Sequence, residues 1–139
     1  MMKPLAPLGR GLQSVDTVVV EELLLRLKST AYMTGDIIIR KGDPGDWMGF
    51  VSHGMIAVLD PNYEATDVVQ RLLRVGSHFG EISLLHNQAR ASSLQALTWT
   101  QLEVVTQKSW REIEKLRPEE MRLCRSEIHR MLAERQQVA

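Results

Sequence analysis

Apolar positions follow two periods along this chain, and the change from one to the other outlines its architecture. Val20, Leu23, Leu24 and Leu27 recur three and four apart, the spacing of one helix face, and Asp16 or Thr17 stands ahead of them as a cap. A helix to about Lys28 is expected. After Gly35-Asp36 the apolar runs become short: Ile37–Ile39, Trp47–Ser52, Met55–Leu59, Val68–Val75, Ser93–Leu97 and Thr100–Thr106. Turn residues separate them. Pro44-Gly45 suits the central pair of a type II turn, His53-Gly54 marks another turn, and Asp60-Pro61-Asn62 opens a loop to about Asp67. Helical spacing returns at Ser109-Trp110-Arg111-Glu112, a capping box for a helix through Leu116. Pro118 with Glu119-Glu120 suits the first turn of a last helix carrying Met121, Cys124, Ile128, Met131 and Leu132.

The pattern predicts an α+β chain: an antiparallel β-roll, jelly-roll-like, with an N-terminal helix and two C-terminal helices. The 139 residues suffice for one core. Residues 1–14, rich in Pro, Gly and Leu, are a lead-in, and residues 15–139 form the domain. Within it the roll spans about 33–107 and the C-terminal helices about 109–136.

Composition removes several function classes. Lys plus Arg and Asp plus Glu both number 17, so the chain lacks the basic excess that nucleic acid or an anionic membrane would favour. Val18-Val19-Val20 and Leu23-Leu24-Leu25 are split by Glu21-Glu22, so no run spans a membrane, and MMKPLAPLGRG has no secretory apolar core. With Cys124 as the single cysteine, a reducing, cytoplasmic setting is expected. His53, His78, His86 and His129 show no metal-ligand spacing, and no nucleophile–base pattern or phosphate-loop lysine stands out. The chain reads as a non-enzyme without a metal or resident cofactor. Trp47, Trp99 and Trp110 are expected in the core or half-buried.

Candidate chemistry is concentrated in Phe79-Gly80-Glu81-Ile82-Ser83-Leu84-Leu85, followed by Arg90-Ala91-Ser92. A carboxylate that accepts from sugar hydroxyls and an arginine that forks onto a phosphate suit a nucleotide with one phosphate. Between them Glu81–Leu85 is expected to form one helical turn, whose first amides, from Ile82 and Ser83 onward, lack partners within the turn and favour an anion. Gly80 lets a ligand approach the backbone. A cap at Glu81 with a surface ion pair to Arg90 is the plainer alternative.

The string FGEISLLHNQARASS resembles the phosphate-binding cassette of cyclic nucleotide-binding domains, and the resemblance runs from about Met33 to the C-terminus. It implies the helix, β-roll and two-helix order already read from periodicity. It also implies that Glu81 accepts from the ribose 2′-hydroxyl, that Arg90 pairs with the exocyclic phosphate oxygens, and that Ala91 and Ser92 add donors nearby. In cGMP-preferring relatives the residue after the arginine is often threonine; Ala91 lacks that hydroxyl, which leans the ligand toward cAMP, with cGMP the alternative. The last helix is implied to close as a lid over the purine, with Ile128, Met131, Leu132 and Arg135 as candidate contacts.

The run VVVEELLLRLKSTAYMTGDIIIRKGDPGDWMGFV looks most like the versions of this domain in cyclic nucleotide-gated and hyperpolarisation-activated channels. That likeness implies a parent channel whose pore or linker is the partner, with oligomerisation through the parent, and no membrane insertion or nucleic-acid binding by these residues. A different cyclic nucleotide effector, or an interaction domain of the same fold with an empty pocket, are the alternatives.

Overall fold

The computed structural model describes residues 17–59 and 69–126. The N-terminal helix α1 (Thr17–Arg26) buries Val19, Val20 and Leu23, the face anticipated from the spacing. It stops short of the expected end. Lys28–Tyr32 is a strand, β1, so the roll begins earlier than residue 33. β1 has no apolar alternation and is mostly exposed; it exists by pairing antiparallel with β8 (Thr100–Thr106), Lys28 facing Val104 and Tyr32 facing Thr100. Pairing supplied by a neighbour leaves little trace in a strand's own side chains.

The remaining strands are β2 (Ile37–Ile39), β3 (Trp47–His53), β4 (Ile56–Leu59), β5 (Val69–Leu73), β6 (His78–Phe79) and β7 (Leu94–Ala96). They form two four-stranded antiparallel sheets, ordered β1-β8-β3-β6 and β2-β7-β4-β5. Helix α2 (Glu81–His86) interrupts the strand sequence between β6 and β7, and α3 (Gln107–Leu116) follows β8 directly. Residues 118–126 are the described part of a fourth helix, α4.

Two apolar clusters share the sheets. Ile39, Val51, Ile56, Val58, Leu73, Phe79, Leu94 and Leu102 fill the roll. On the other side Met48, Phe50 and Val105 meet α1, Leu84 of α2, Trp110 and Ile113 of α3, and Met121 and Cys124 of α4. Cys124 is therefore a small apolar packing residue. The described part of the final helix packs on α1 and α3, so its first apolar positions belong to the core. Trp110 is buried, Trp47 half-buried, and Trp99 about half exposed at 47% beside His53.

Two local expectations are corrected. The cap of α3 is Thr106, whose hydroxyl accepts from the Ser109 amide at 3.1 Å, so the helix starts before the expected Ser109 box. In the Lys41–Asp46 segment the left-handed residue is Gly42 (φ 92°), not Gly45, so Pro44-Gly45 is not a type II turn. Gly45 is required for proximity instead: a Cβ there would lie 2.0 Å from Ser83 Cβ and 2.7 Å from the Gln88 carbonyl oxygen. No helix among the described residues is long and apolar enough to cross a membrane.

Candidate functional site

Phe79 ends β6 inside the roll, and Gly80 turns the chain into α2 with φ 90° and ψ 2°. That left-handed conformation favours glycine, and the space demands it as well. A Cβ at Gly80 would lie 2.6 Å from Arg90 Nη1 and 3.0 Å from the Trp47 carbonyl oxygen. Clearance for the protein's own arginine is thus the reason visible in the fold. The first helical bond of α2 runs from the Leu84 amide to the Gly80 carbonyl (3.0 Å), and no side chain caps the turn, so the amides before Leu84 lie outside the helical ladder. Ile82 is the second residue of that turn.

Arg90 returns to the same place from the loop after α2. Its backbone is pinned to the turn before β3: Arg90 N–H donates to the Asp43 carbonyl (2.8 Å), and Gly42 N–H donates to the Arg90 carbonyl (2.9 Å). The side chain is 5% exposed. Nη2 donates to the Trp47 carbonyl, and the guanidinium carbon stands 5.0 Å from the centre of the Trp47 ring. Nη1 is buried with no hydrogen-bond partner among the described residues. Burial pushes the guanidinium pKa down from its ordinary value, opposed by the nearby carboxylates of Asp46, Asp43 and Glu81. A guanidinium stays charged under such shifts.

Glu81 is 3% exposed, with Oε1 3.8 Å from His78 Nε2. It opens α2, where a carboxylate suits the local dipole. A surface ion pair between Glu81 and Arg90 is not what the fold contains: both side chains are buried, and Arg90 hydrogen-bonds Trp47.

Phe79, Gly80, Glu81, Ser83, Arg90, Ala91 and Ser92 all line one cavity of about 150 Å³. Seven of the eight residues singled out in the sequence thus meet around one space, and the eighth, Ile82, belongs to the same turn. Its other walls are Ile39, Val58, Leu94 and Arg71, which sequence reasoning did not select. The first three carry only an apolar-strand signal, and Arg71 reaches the site from β5, far from the contiguous motif. Two positioning residues were also missed. Trp47 holds Arg90 as described, and Gln107 at the start of α3 donates through Nε2 to the Leu84 carbonyl (3.0 Å) and to Asn87 Oδ1. Asn87 ends α2 in the left-handed conformation (φ 54°), so Gln107 ties the exit of α2 to α3. The lid candidates Ile128, Met131, Leu132 and Arg135 lie outside the described residues. Among the described residues no group of three or more His, Cys, Asp or Glu could hold a metal ion.

This arrangement, a roll carrying a short helix beside a buried arginine and carboxylate, defines a ligand-binding module. A family model described as the cyclic nucleotide-binding domain matches residues 29–115, and the chain belongs to that family. Cyclic nucleotide-gated channel beta-3 of Homo sapiens is 32% identical over 127 residues, 89% of this chain and 16% of the channel. Potassium/sodium hyperpolarization-activated cyclic nucleotide-gated channel 4 of Homo sapiens is 32% identical over 100 residues, 72% of this chain and 8% of that protein. The chain thus spans a small part of the length of these channel relatives. Among solved structures, the N-terminal domain of a transcriptional regulator from Streptomyces coelicolor A3(2) shares the fold with a TM-score of 0.83 at 20% identity, covering 99% of this chain and 96% of that one. The regulatory domain of Toxoplasma gondii PKA, solved with cAMP, gives 0.70 at 20% identity, covering 78% of this chain and 41% of that one.

Proposed function

We propose that the chain is a cyclic nucleotide sensor that prefers cAMP, acts by binding rather than catalysis, and regulates a channel from the cytoplasmic side. The observation that carries the binding role is Arg90: a guanidinium 5% exposed, held by Trp47, with Nη1 left without a hydrogen-bond partner among the described residues. A buried charge with unused donor capacity costs stability unless an acceptor arrives. An exocyclic phosphate oxygen is that acceptor, and the Ile82 and Ser83 amides of α2, outside the helical ladder, add donors beside it. Glu81 then takes the ribose 2′-hydroxyl.

The cavity, about 150 Å³, is below the roughly 300–1,000 Å³ of sites that enclose a drug-sized ligand. It accommodates the sugar and phosphate, while the purine extends beyond it, where Ile128, Met131, Leu132 and Arg135 close over the base. The preference for cAMP rests on Ala91, exposed at the edge of the site and lacking a hydroxyl for the guanine amino group. The regulatory setting rests on the similarity to channels. Binding shifts the module only by the difference in affinity between its open and closed forms.

Titration calorimetry with cAMP is the test. Dissociation constants between nanomolar and micromolar are expected, about −8 to −12 kcal/mol. A ligand at 100 times its Kd stabilises the fold by about 2.7 kcal/mol, which thermal unfolding reads independently. No heat and no thermal shift with either cAMP or cGMP would leave the interaction-domain alternative. For the lid, truncation after Ser126 keeps the core residues Met121 and Cys124 in place; weaker cAMP binding with faster release is expected, and an unchanged release rate would remove the lid.

A further inference from the structure

Trp47, which holds Arg90, also lines a second and larger space. This groove, about 830 Å³, has a floor of Tyr32, Ile38, Trp47 and Val104, all half-buried and packed on the apolar cluster of the roll. Its rim is α3, which presents Lys108, Arg111 and Lys115 on one face. Like charges three and four apart on a helix repel one another. None of the three forms an ion pair among the described residues. Glu112 on the same rim is engaged elsewhere, with Oε2 3.9 Å from Arg26 Nε. The remaining carboxylate, Asp46, lies near enough to Arg90 to favour its charge.

An aromatic and aliphatic floor beneath a rim whose three cations outnumber its two carboxylates, Asp46 and Glu112, is complementary to a molecule with an apolar body and an anionic end. The volume falls within the range typical of small-molecule sites. We propose that this groove is a second ligand site, distinct from the nucleotide cavity, that takes a small amphipathic anion: a flat aromatic or aliphatic body bearing a carboxylate, sulfonate or phosphate. The site also bears on the first one. Trp47 holds Arg90 through its carbonyl and ring, and Gln107, another wall of the groove, holds the exit of α2. An occupant therefore touches residues that position both ends of the nucleotide-binding segment, and coupling between the sites must be reciprocal. The coupling rests on the cyclic nucleotide reading; the groove's own binding does not.

The experiment uses the full chain and 8-anilinonaphthalene-1-sulfonate, an aromatic anion whose fluorescence rises on binding. Saturable binding of one probe per chain is expected, with energy transfer from tryptophan. Removing the rim charges together, Lys108→Gln with Arg111→Gln and Lys115→Gln, is expected to weaken the probe at least fivefold at unchanged circular dichroism and melting temperature. Arg90→Ala is expected to leave probe binding intact. Absence of saturable binding, an unweakened triple variant, or a probe lost with Arg90→Ala would each overturn the second site. Binding of an acidic peptide by a chain that ignores the probe would replace it with a protein-docking surface. Saturating probe is expected to shift the cAMP dissociation constant about threefold or more; an unchanged constant overturns the coupling. Probe binding in a chain that takes no cyclic nucleotide would sink the nucleotide reading and leave the groove standing.

Discussion

The two cavities, linked through Trp47, which lines the larger and holds Arg90 of the smaller, solve the placement of charge in opposite ways. The smaller one, about 150 Å³, buries a carboxylate and a guanidinium almost completely, at 3% and 5% exposure. The larger one, about 830 Å³, keeps its cations in solvent on the outer face of a helix. Desolvated charges cost the free protein but reward a ligand strongly and with fixed geometry, because the surrounding dielectric is low. Solvated charges cost little and return little per contact. Size therefore does not rank the two sites. On the proposed readings, the small cavity would select for one phosphate and the groove would capture a class of anions more loosely.

The largest effect that separates them is expected at Arg90. Arg90→Ala removes a hydrogen bond between charged groups, worth about 1.5–3 kcal/mol, or roughly 10- to 150-fold in cAMP affinity. Calorimetry on the folded variant reads it directly, and parental affinity would show that the buried guanidinium is not the phosphate contact. Glu81→Ala is expected to cost somewhat less and to reduce discrimination against 2′-deoxy-cAMP, measurable as a narrowed ratio of the two dissociation constants.

Gly45→Ala probes how tightly the small cavity is held from behind. The added methyl would meet Ser83 Cβ at 2.0 Å, and overpacking of this kind costs about 1–3 kcal/mol. A lowered melting temperature with weaker cAMP binding is expected; an unchanged melting temperature would mean that α2 yields freely. Ala91→Thr should act on specificity alone. One added hydrogen bond of about 0.5–1.5 kcal/mol moves the cGMP-to-cAMP affinity ratio by roughly 2- to 13-fold toward cGMP. A parental chain that already prefers cGMP would contradict the reading of Ala91. The smallest effect is expected from the groove rim: Lys108→Gln without a groove ligand should change cAMP affinity by less than about twofold and stability by less than about 0.5 kcal/mol. A larger change would erase the contrast between buried and solvated charge.

Much of this molecule could be read from local pattern. The helical spacing of Val20, Leu23 and Leu24, the short apolar runs of β3, β4 and β8, and the contiguous Phe79–Ser92 stretch each depend on residues close together in the chain, whose conformational preferences act over one or two turns. The glycine, carboxylate and arginine of the cassette were legible for the same reason, since α2 and its flanking loops bring them to one cavity within a dozen residues. What escaped was decided by contacts between distant segments. Strand β1 has a polar sequence and exists because β8 pairs with it. Thr106 caps α3 because the last strand runs straight into the helix. Gly45 matters for the approach of Ser83 rather than for its own φ, and Gln107 closes α2 from 20 residues away in sequence. The Trp47 carbonyl reaches Arg90 across 43 residues. Local pattern thus fixes which groups are available and which short segments carry them. Long-range packing settled which of them lose water, which face one another, and that Trp47 both holds the buried arginine and lines the open groove, because desolvation and steric approach depend on neighbours that no local pattern specifies.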